Sequence, residues 1–586
     1  MPSFHGIRTG GLILLAAGLF AATSSAQSSA PSLTTAPWPL TDALGRSAPM
    51  AGKVPAPRGD RFVGIFYFLW HNNRGGASPD GGPYDIAKIL ARDPDALKHP
   101  ESPLWGPFGL YHYWGEPLYG YYLADDPWVI RRHARLLVDA GVDTLIFDTT
   151  NVVTYPEVYT RIGEVFTAIR QEGGRTPSFA FMVNTRAGET AQNLYKDLYQ
   201  PGRFRDLWFQ WQGKPLLICD PKEASPEVRD FFTLRRAHWP FTMEDTKDAW
   251  HWEATYPQPY GYTDDPKKAE QVVVSTAQNL RASDGKVTNM SNGDARGRSF
   301  HDGVQDRTPG AVLHGYNVQE QWKRAFELDP PFVMVTGWNE WIAGRFGKRG
   351  RIDFVDQYDQ EFSRDIEPMR GGHGDNYYAQ LVANVRRYKG VPPVPAASAP
   401  KTIPIDGPAN LWDDVAPAFD DDLNDNLPRD HEGAGGTHYV NRTGRNDLVL
   451  MKVARDAANV SFLARAREPI VPGLWLLIDA DQDPKTGWEG YDFIAGRITE
   501  GDAPVLERNT GGWTWARVGT LPARSNGTDL TLSIPREALG MEGTWPVRFD
   551  FKWVDNAQKP GDVMDFYVSG DVAPEGRMRF RYVGDR

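Results

Sequence analysis

Eight short apolar runs alternate with helix- and turn-type segments between residues 63 and 341, and this alternation restricts the fold more than any other feature of the chain. The runs are Val63–Trp70, Val142–Asp148, Ser178–Asn184, Lys214–Asp220, Phe241–Glu244, Trp250–Thr255, Lys286–Ser291 and Phe332–Trp341. Amphipathic helices separate most of them. Asp126-Pro127 supplies an N-cap and a first-turn proline, and Ile130, Ala134 and Leu137 then share one face until Gly141 stops the helix. A second helix starts near Pro156, turns Val158, Ile162, Val165 and Ile169 inward, and ends at Gly173-Gly174. Strands joined through helices pair in parallel, with the helices covering the sheet. Eight of them predict an α/β fold, a (β/α)8 TIM barrel over residues 59–390. The fifth and sixth runs lie close together with no clear helix between them. An open doubly wound sheet is the alternative, but it would want a glycine-rich phosphate turn after the first strand, and none is present.

The flanking segments differ in character. In residues 1–26, Arg8 precedes an apolar stretch from Leu12 to Ala22 and then Ser24-Ser25-Ala26, the pattern of a signal peptide. The expected product is an exported protein, periplasmic or extracellular, with no membrane attachment after cleavage. Residues 27–58 read as a Pro-, Ala- and Ser-rich tail. The prolines of Val391–Pro400 mark a stiff linker or wrap-around segment over 391–404. Beyond it, Asp447–Ala454, Asn459–Ala464, Leu474–Asp479, Leu530–Ile534, Trp545–Trp553 and Met578–Val583 are short strands without helices, which predicts a β-sandwich over 405–586. The net charge of −11, with no basic cluster, argues against nucleic acid or an anionic membrane as partner and is compatible with a neutral polysaccharide or oligosaccharide. Cys219, the one cysteine, excludes an internal disulfide and sits in an apolar run as a small hydrophobe.

The last apolar run ends in Trp338-Asn339-Glu340-Trp341. Parallel barrels keep their chemistry at the C-terminal ends of the strands, and indoles stack on sugar faces. Glycosidic cleavage needs two carboxyl groups. Glu340 is the first candidate for the general acid, since packing between Trp338 and Trp341 would raise its pKa. Asn339 would orient it or donate to a sugar hydroxyl. For the second carboxylate Glu253 leads, followed by Asp148, with Glu244 and Glu116 behind. The competing reading makes each a structural carboxylate paired with an arginine such as Arg186, Arg298 or Arg345. The long segment from His71 to Asp126, dense in aromatics that include His112, Tyr113 and Trp114, would line a groove. Trp70, His71, Asn151, Asn184, Gln258, Asn292, His314 and Arg345 complete the expected sugar contacts. No His-x-x-x-His spacing, serine elbow or phosphate loop occurs, so no catalytic cofactor is expected.

Tyr67–Trp70, Gly141–Asp148, Gly213–Leu217, Gln319–Trp322 and Val335–Trp341 together resemble the glycoside hydrolase family 71/99-like group. That group includes endo-α-mannosidases and α-1,3-glucanases on (β/α)8 barrels, and the similarity spans most of residues 60–390. In the endo-α-mannosidases the pattern is Asn-Glu-Trp-His-Glu-Gly; the first Glu assists attack by the sugar's own 2-hydroxyl and the second is the general acid/base. Only Glu340 carries over, because the second position here is Ala343. Either another strand supplies the second carboxylate, or the protein is not a hydrolase. It would then be a non-catalytic glycan-binding barrel, or a polysaccharide lyase using His112, Tyr113 and Arg345. In the tail domain, Asp479, Asp481 and Asp483, followed by Asp492, can present oxygens to one structural calcium ion, or can form a plain Asx-rich turn. This stretch resembles carbohydrate-binding module family 9-like sandwiches. Trp475, Trp488 and Trp513 would be a sugar platform or sandwich core.

Overall fold

The structure, a computed structural model, describes residues 32–72, 75–239, 245–346 and 350–586. Residues 1–26, where a signal peptide is expected, the run Phe241–Glu244 and the start of the tail lie outside the described residues. Eight parallel strands form the barrel: β1 (Phe62–Tyr67), β2 (Thr144–Thr149), β3 (Ser178–Val183), β4 (Lys214–Ile218), β5 (Thr233–His238), β6 (Ala249–His251), β7 (Gln271–Ser275) and β8 (Phe332–Thr336). They pair in the order β6-β5-β4-β3-β2-β1-β8-β7.

Period-two alternation sorts the side chains. Phe62, Phe66, Ile146, Ala180, Met182, Leu216, Ile218, Trp250, Phe332 and Met334 fill the barrel interior. Val63, Ile65, Leu145, Phe147, Phe179, Val272, Val274, Val333 and Val335 face outward into the layer of helices. Gly64 is required inside: a Cβ there would meet the Phe332 ring at 2.6 Å. The first predicted helix is α1 (Pro127–Asp139), capped by Asp126, whose Oδ1 accepts from the Trp128 N–H at 3.0 Å. The second is α2 (Pro156–Gln171). The helix α3 (Tyr316–Leu328) leads into β8, and α4 (Asn376–Lys389) follows the long segment beyond it.

Two of the eight expected strands sit elsewhere. Lys286–Ser291 is loop running into the 3-10 turn Met290–Asn292, and the seventh strand is Gln271–Ser275. The fifth is Thr233–His238, whose two arginines hide its strand character: Arg235 points inward to a buried ion pair with Glu270. The barrel closes between β6 and β7 through a side chain. The Gln271 carboxamide accepts from the His251 N–H at 2.9 Å and donates to the His251 carbonyl at 3.0 Å, standing in for a strand partner.

Two antiparallel sheets pack face to face in the C-terminal domain. Phe419, Met451, Phe462, Leu476, Ile478, Phe549, Phe551 and Trp553 form their common core. Arginines of α1 reach this domain: Arg132 pairs with Glu575 at 2.8 Å, and Arg135 with Asp422 at 2.8 Å. Trp38 of the N-terminal tail packs against Phe419 and Phe580 of the sandwich, while Arg386 of α4 donates to its carbonyl. The tail therefore straps both domains.

No regular helix intervenes in the chain between β5 and β7 among the described residues, and a polar staple ties these strands together. Glu270 accepts from Arg235 at 2.6 and 2.7 Å, from Trp211 Nε1 at 2.9 Å and from Trp250 Nε1 at 3.0 Å. Arg235→Leu would leave this carboxylate buried without its cation and should cost about 3–5 kcal/mol in urea denaturation. A loss below about 1 kcal/mol would show that the staple is dispensable.

Candidate active site

Asp148 lies two residues beyond Ile146 on the same face of β2, so it points into the C-terminal mouth of the barrel. Glu253 follows β6 and Glu340 follows β8. The structure brings Glu253 and Glu340 together through a residue that the sequence reading missed, Arg364. Its Nη1 donates to Glu253 Oε2 at 3.2 Å and its Nη2 to Glu340 Oε2 at 3.0 Å. One guanidinium thus bridges both carboxylates, which fits the roughly 5–10 Å span of glycosidase carboxyl pairs. The same Nη2 lies 3.7 Å from Asp356 Oδ1, and the guanidinium packs over the Trp252 ring at 4.6 Å. Gln357 donates to Glu340 Oε2 at 2.5 Å.

Arg364, Asp356 and Gln357 belong to the segment between β8 and α4, which has no periodicity to betray it. Their contribution is visible only once that segment folds back over the barrel.

Burial drives the electrostatics. It pushes Glu253 up to about 7 against the pull of Arg364, with Asp356 adding repulsion. It pushes Glu340 well above the ordinary carboxylate range, again opposed by Arg364. Asp148 rises to about 6 through burial, restrained by the Thr150 N–H and hydroxyl, which donate to it at 3.0 and 2.8 Å. Burial also raises the Asp356 carboxyl against the pull of Arg364, and with 43% of its side chain open to water that shift is screened by solvent. Three carboxylates, Glu253, Glu340 and Asp356, thus surround one arginine, and like charges this close keep a proton available near neutrality. Glu253 Oε1 is buried without a hydrogen-bond partner and has room in its chemistry for that proton.

The indoles beside Glu340 do not flank a sugar. Trp338 and Trp341 are fully buried. Trp341 stacks on Trp114 with ring centroids 4.8 Å apart and donates to Glu367 at 2.5 Å. Asp365 accepts the Glu340 backbone N–H and, at 2.5 Å, the Trp114 indole N–H. Asn339 Oδ1 accepts from the Phe68 N–H at 2.9 Å and its amide donates to the Phe68 carbonyl, so it locks the end of β8 to the end of β1 and aims Glu340.

Several expected sugar contacts are structural instead. Tyr111–Tyr113 pairs antiparallel with Ile342–Gly344 to form a cap, and His112 and Tyr113 lie inside it. His112 turns both ring nitrogens to the carbonyls of Leu110 and Trp105, and burial lowers it to about 4, so neither it nor enclosed Tyr113 is placed as a lyase base. Arg345 donates to the carbonyls of Gly106 and Pro100 within the cap. Gln258 is buried, donating to Val273 and Gln321 carbonyls. His71 is buried beside Tyr122 and lowered to about 3, by burial first and by His133 second. His314 stacks on Tyr316 beside the N-terminal tail, and exposed Asn292 donates to Thr288.

Other candidates stay within reach of solvent. Trp70 stands edge-on to Tyr111 at 5.3 Å, and Tyr111 to the half-exposed Phe346 at 6.3 Å, an aromatic wall rising from the end of β1. Opposite, Trp239 packs on Trp252 at 4.8 Å and donates to Asn184 Oδ1 at 2.8 Å. Asn151 is exposed beyond Asp148 and donates to the Tyr155 hydroxyl. Glu116 pairs with Lys88 and Arg370 away from Arg364, and Glu244 lies outside the described residues.

In the sandwich, carboxylate oxygens of Asp479, Asp481 and Asp492 gather within 4.8 Å of one another. Asp483 is not among them; it caps the Lys485 N–H at 3.0 Å. Arg579 already neutralises Asp479 at 2.5 Å. Trp488 is buried, while Trp475 and Trp513 pack half-exposed around it on the outer face of a sheet.

No protein-family model matches the chain, and no curated protein matches it. Two solved structures of the GH99 endo-alpha-mannosidase from Bacteroides thetaiotaomicron, one in complex with bis-tris-propane, are similar to it at 16% and 14% identity. Each gives a TM-score of 0.33 and covers 56% of this chain and 97% of the mannosidase chain. At that score the likeness carries no argument, and the barrel stands on its own strand pairing.

The raised carboxyls give stability a definite pH dependence. Glu253 moves from an ordinary 4.5 to about 7, so the folded chain holds a proton that the unfolded chain releases. That stabilisation is complete below about pH 4 and is lost as pH climbs through about 7. Melting temperature should therefore fall between pH 5 and 8, and Glu253→Gln, which cannot ionise, should flatten the fall. An identical slope in wild type and variant would remove Glu253 as its source.

Proposed function

We propose that the protein is an exported glycoside hydrolase acting on a polysaccharide or oligosaccharide. The observation that carries this reading is the single guanidinium of Arg364 bridging Glu253 and Glu340 at the C-terminal mouth of a parallel barrel, with the open carboxylate Asp356 beside it. Glu253 is the acid: its pKa is matched to neutral pH and one of its oxygens is free to hold a proton. Asp356 or Asp148 acts on the opposite side of the bond as base or nucleophile. Glu340 works with Arg364 to set the charge of the site. The aromatic wall of Trp70, Tyr111 and Phe346 holds the glycan, with Trp239 facing it.

A second reading has its own support. Glu340, with 4% of its side chain exposed, and Glu253, with 1%, are both tied to Arg364, as a barrel retained for glycan binding alone would have them. A polysaccharide panel with reducing-end detection separates the two. Hydrolysis predicts new reducing ends on at least one glycan, with Glu253→Gln and Glu340→Gln each lowering kcat by about 10²–10⁴-fold. Tight glycan binding without any new ends would favour the binding reading. Full activity in Glu253→Gln would overturn its assignment as acid.

A further inference from the structure

A different group of carboxylates, at the seam between barrel and sandwich, has no role in the chemistry above. Asp421 follows the strand Ala418–Asp420, Asp425 sits in the turn after it, and Asp571 opens the strand Asp571–Ala573 of the other sheet. Carboxylate oxygens of all three lie within 4.8 Å of one another. Oxygens bound to a single calcium-sized cation at about 2.3–2.6 Å lie no more than about 5 Å apart, so the spread fits one ion.

The second observation is that these oxygens are buried and unanswered. Asp425 is 4% exposed, and neither of its carboxylate oxygens has a hydrogen-bond partner. Asp571, 1% exposed, uses Oδ2 to accept the Leu448 N–H at 2.6 Å and leaves Oδ1 without a partner. Asp421 keeps Oδ2 free and meets only Arg135, at 3.5 Å, through Oδ1. The nearby cations are already engaged. Arg132 pairs with Glu575, Arg135 with Asp139 and Asp422, and the Lys552 ammonium donates to the Pro574 carbonyl. Three buried carboxylates facing one another, with only Arg135 reaching one of them from 3.5 Å, would be strongly destabilising unless a further cation or protons intervene.

We propose that Asp421, Asp425 and Asp571 bind one hard divalent cation of the calcium class, joining the two sheets of the sandwich where α1 of the barrel docks. The donors are all oxygens, with no histidine or thiol among them, which disfavours zinc or copper. The site is distinct from the Asp479–Asp492 turn, whose first aspartate is already matched by Arg579. Burial and mutual repulsion raise all three carboxyl pKa values, so the competing state is a protonated, metal-free cluster.

The test uses the full-length protein, stripped with chelator and then titrated with calcium. Binding at this site predicts a melting midpoint raised by about 5 °C or more in millimolar calcium. Elemental analysis after dialysis should find calcium retained. Asp425→Asn should abolish the midpoint shift and lower the calcium content by one ion per chain, whereas Asp481→Asn should leave the shift in place. If Asp425→Asn does not fold, Asp571→Asn is read in its place, with Asp481→Asn as its control. Absence of any calcium response in the wild type overturns the proposal in favour of the protonated cluster. A response lost in Asp481→Asn but kept in Asp425→Asn overturns it in favour of the surface turn.

Discussion

A fully buried arginine among acids governs the mouth of this barrel. Without Arg364, Glu253 and Glu340 would face each other with no cation, and each would have to take a proton or leave the site. With it, charge is balanced in part only, because Asp148 and Asp356 belong to the same crowded region. That imbalance is useful. It keeps one carboxyl protonated near neutral pH while an open one remains available to water or substrate.

The supporting structure exists to hold that arginine in place. The chain beyond β8 must leave the barrel, return over its mouth and be fixed there. Asp365 does this by gripping the Glu340 backbone and the Trp114 indole together, and Glu367 by accepting from Trp341 and from the Tyr122 hydroxyl. The dense aromatics of the segment after β1 are mainly the packing partners of this cap. They shape the site from behind, and only the outer ones, Trp70 and Tyr111 with Phe346, are left to meet a ligand.

Much of the fold was legible because period and punctuation agreed: Asp126-Pro127 opens a helix, Gly141 closes it, and apolar runs mark β1 to β4 and β8. Thr233–His238 escaped because a strand facing a buried ion pair carries arginine where apolar residues are expected. Gln271–Ser275 escaped although the turn-type Asp264-Asp265-Pro266 precedes it, because its apolar run, Val272–Val274, is only three residues long. In the site, Asp148, Glu253 and Glu340 were readable from their positions at strand ends. Arg364 was not, since a loop residue brought in from beyond the last strand leaves no local signature. Proximity in sequence also misled. Trp338 and Trp341 adjoin Glu340 along the chain, yet the backbone turns them into the core and sends the carboxylate the other way. Asp421, Asp425 and Asp571 come from distant segments, so only the folded chain assembles them.

The central claim is that Arg364 acts through the two carboxylates it bridges. A double-mutant cycle on a glycan from the panel that yields new reducing ends tests it most directly, comparing kcat/KM for Arg364→Met, Glu253→Gln and the double variant. If the three groups form one unit, the double variant loses no more than the worse single variant. Losses that multiply would mean that Arg364 and Glu253 act independently, and the account of the site would be wrong.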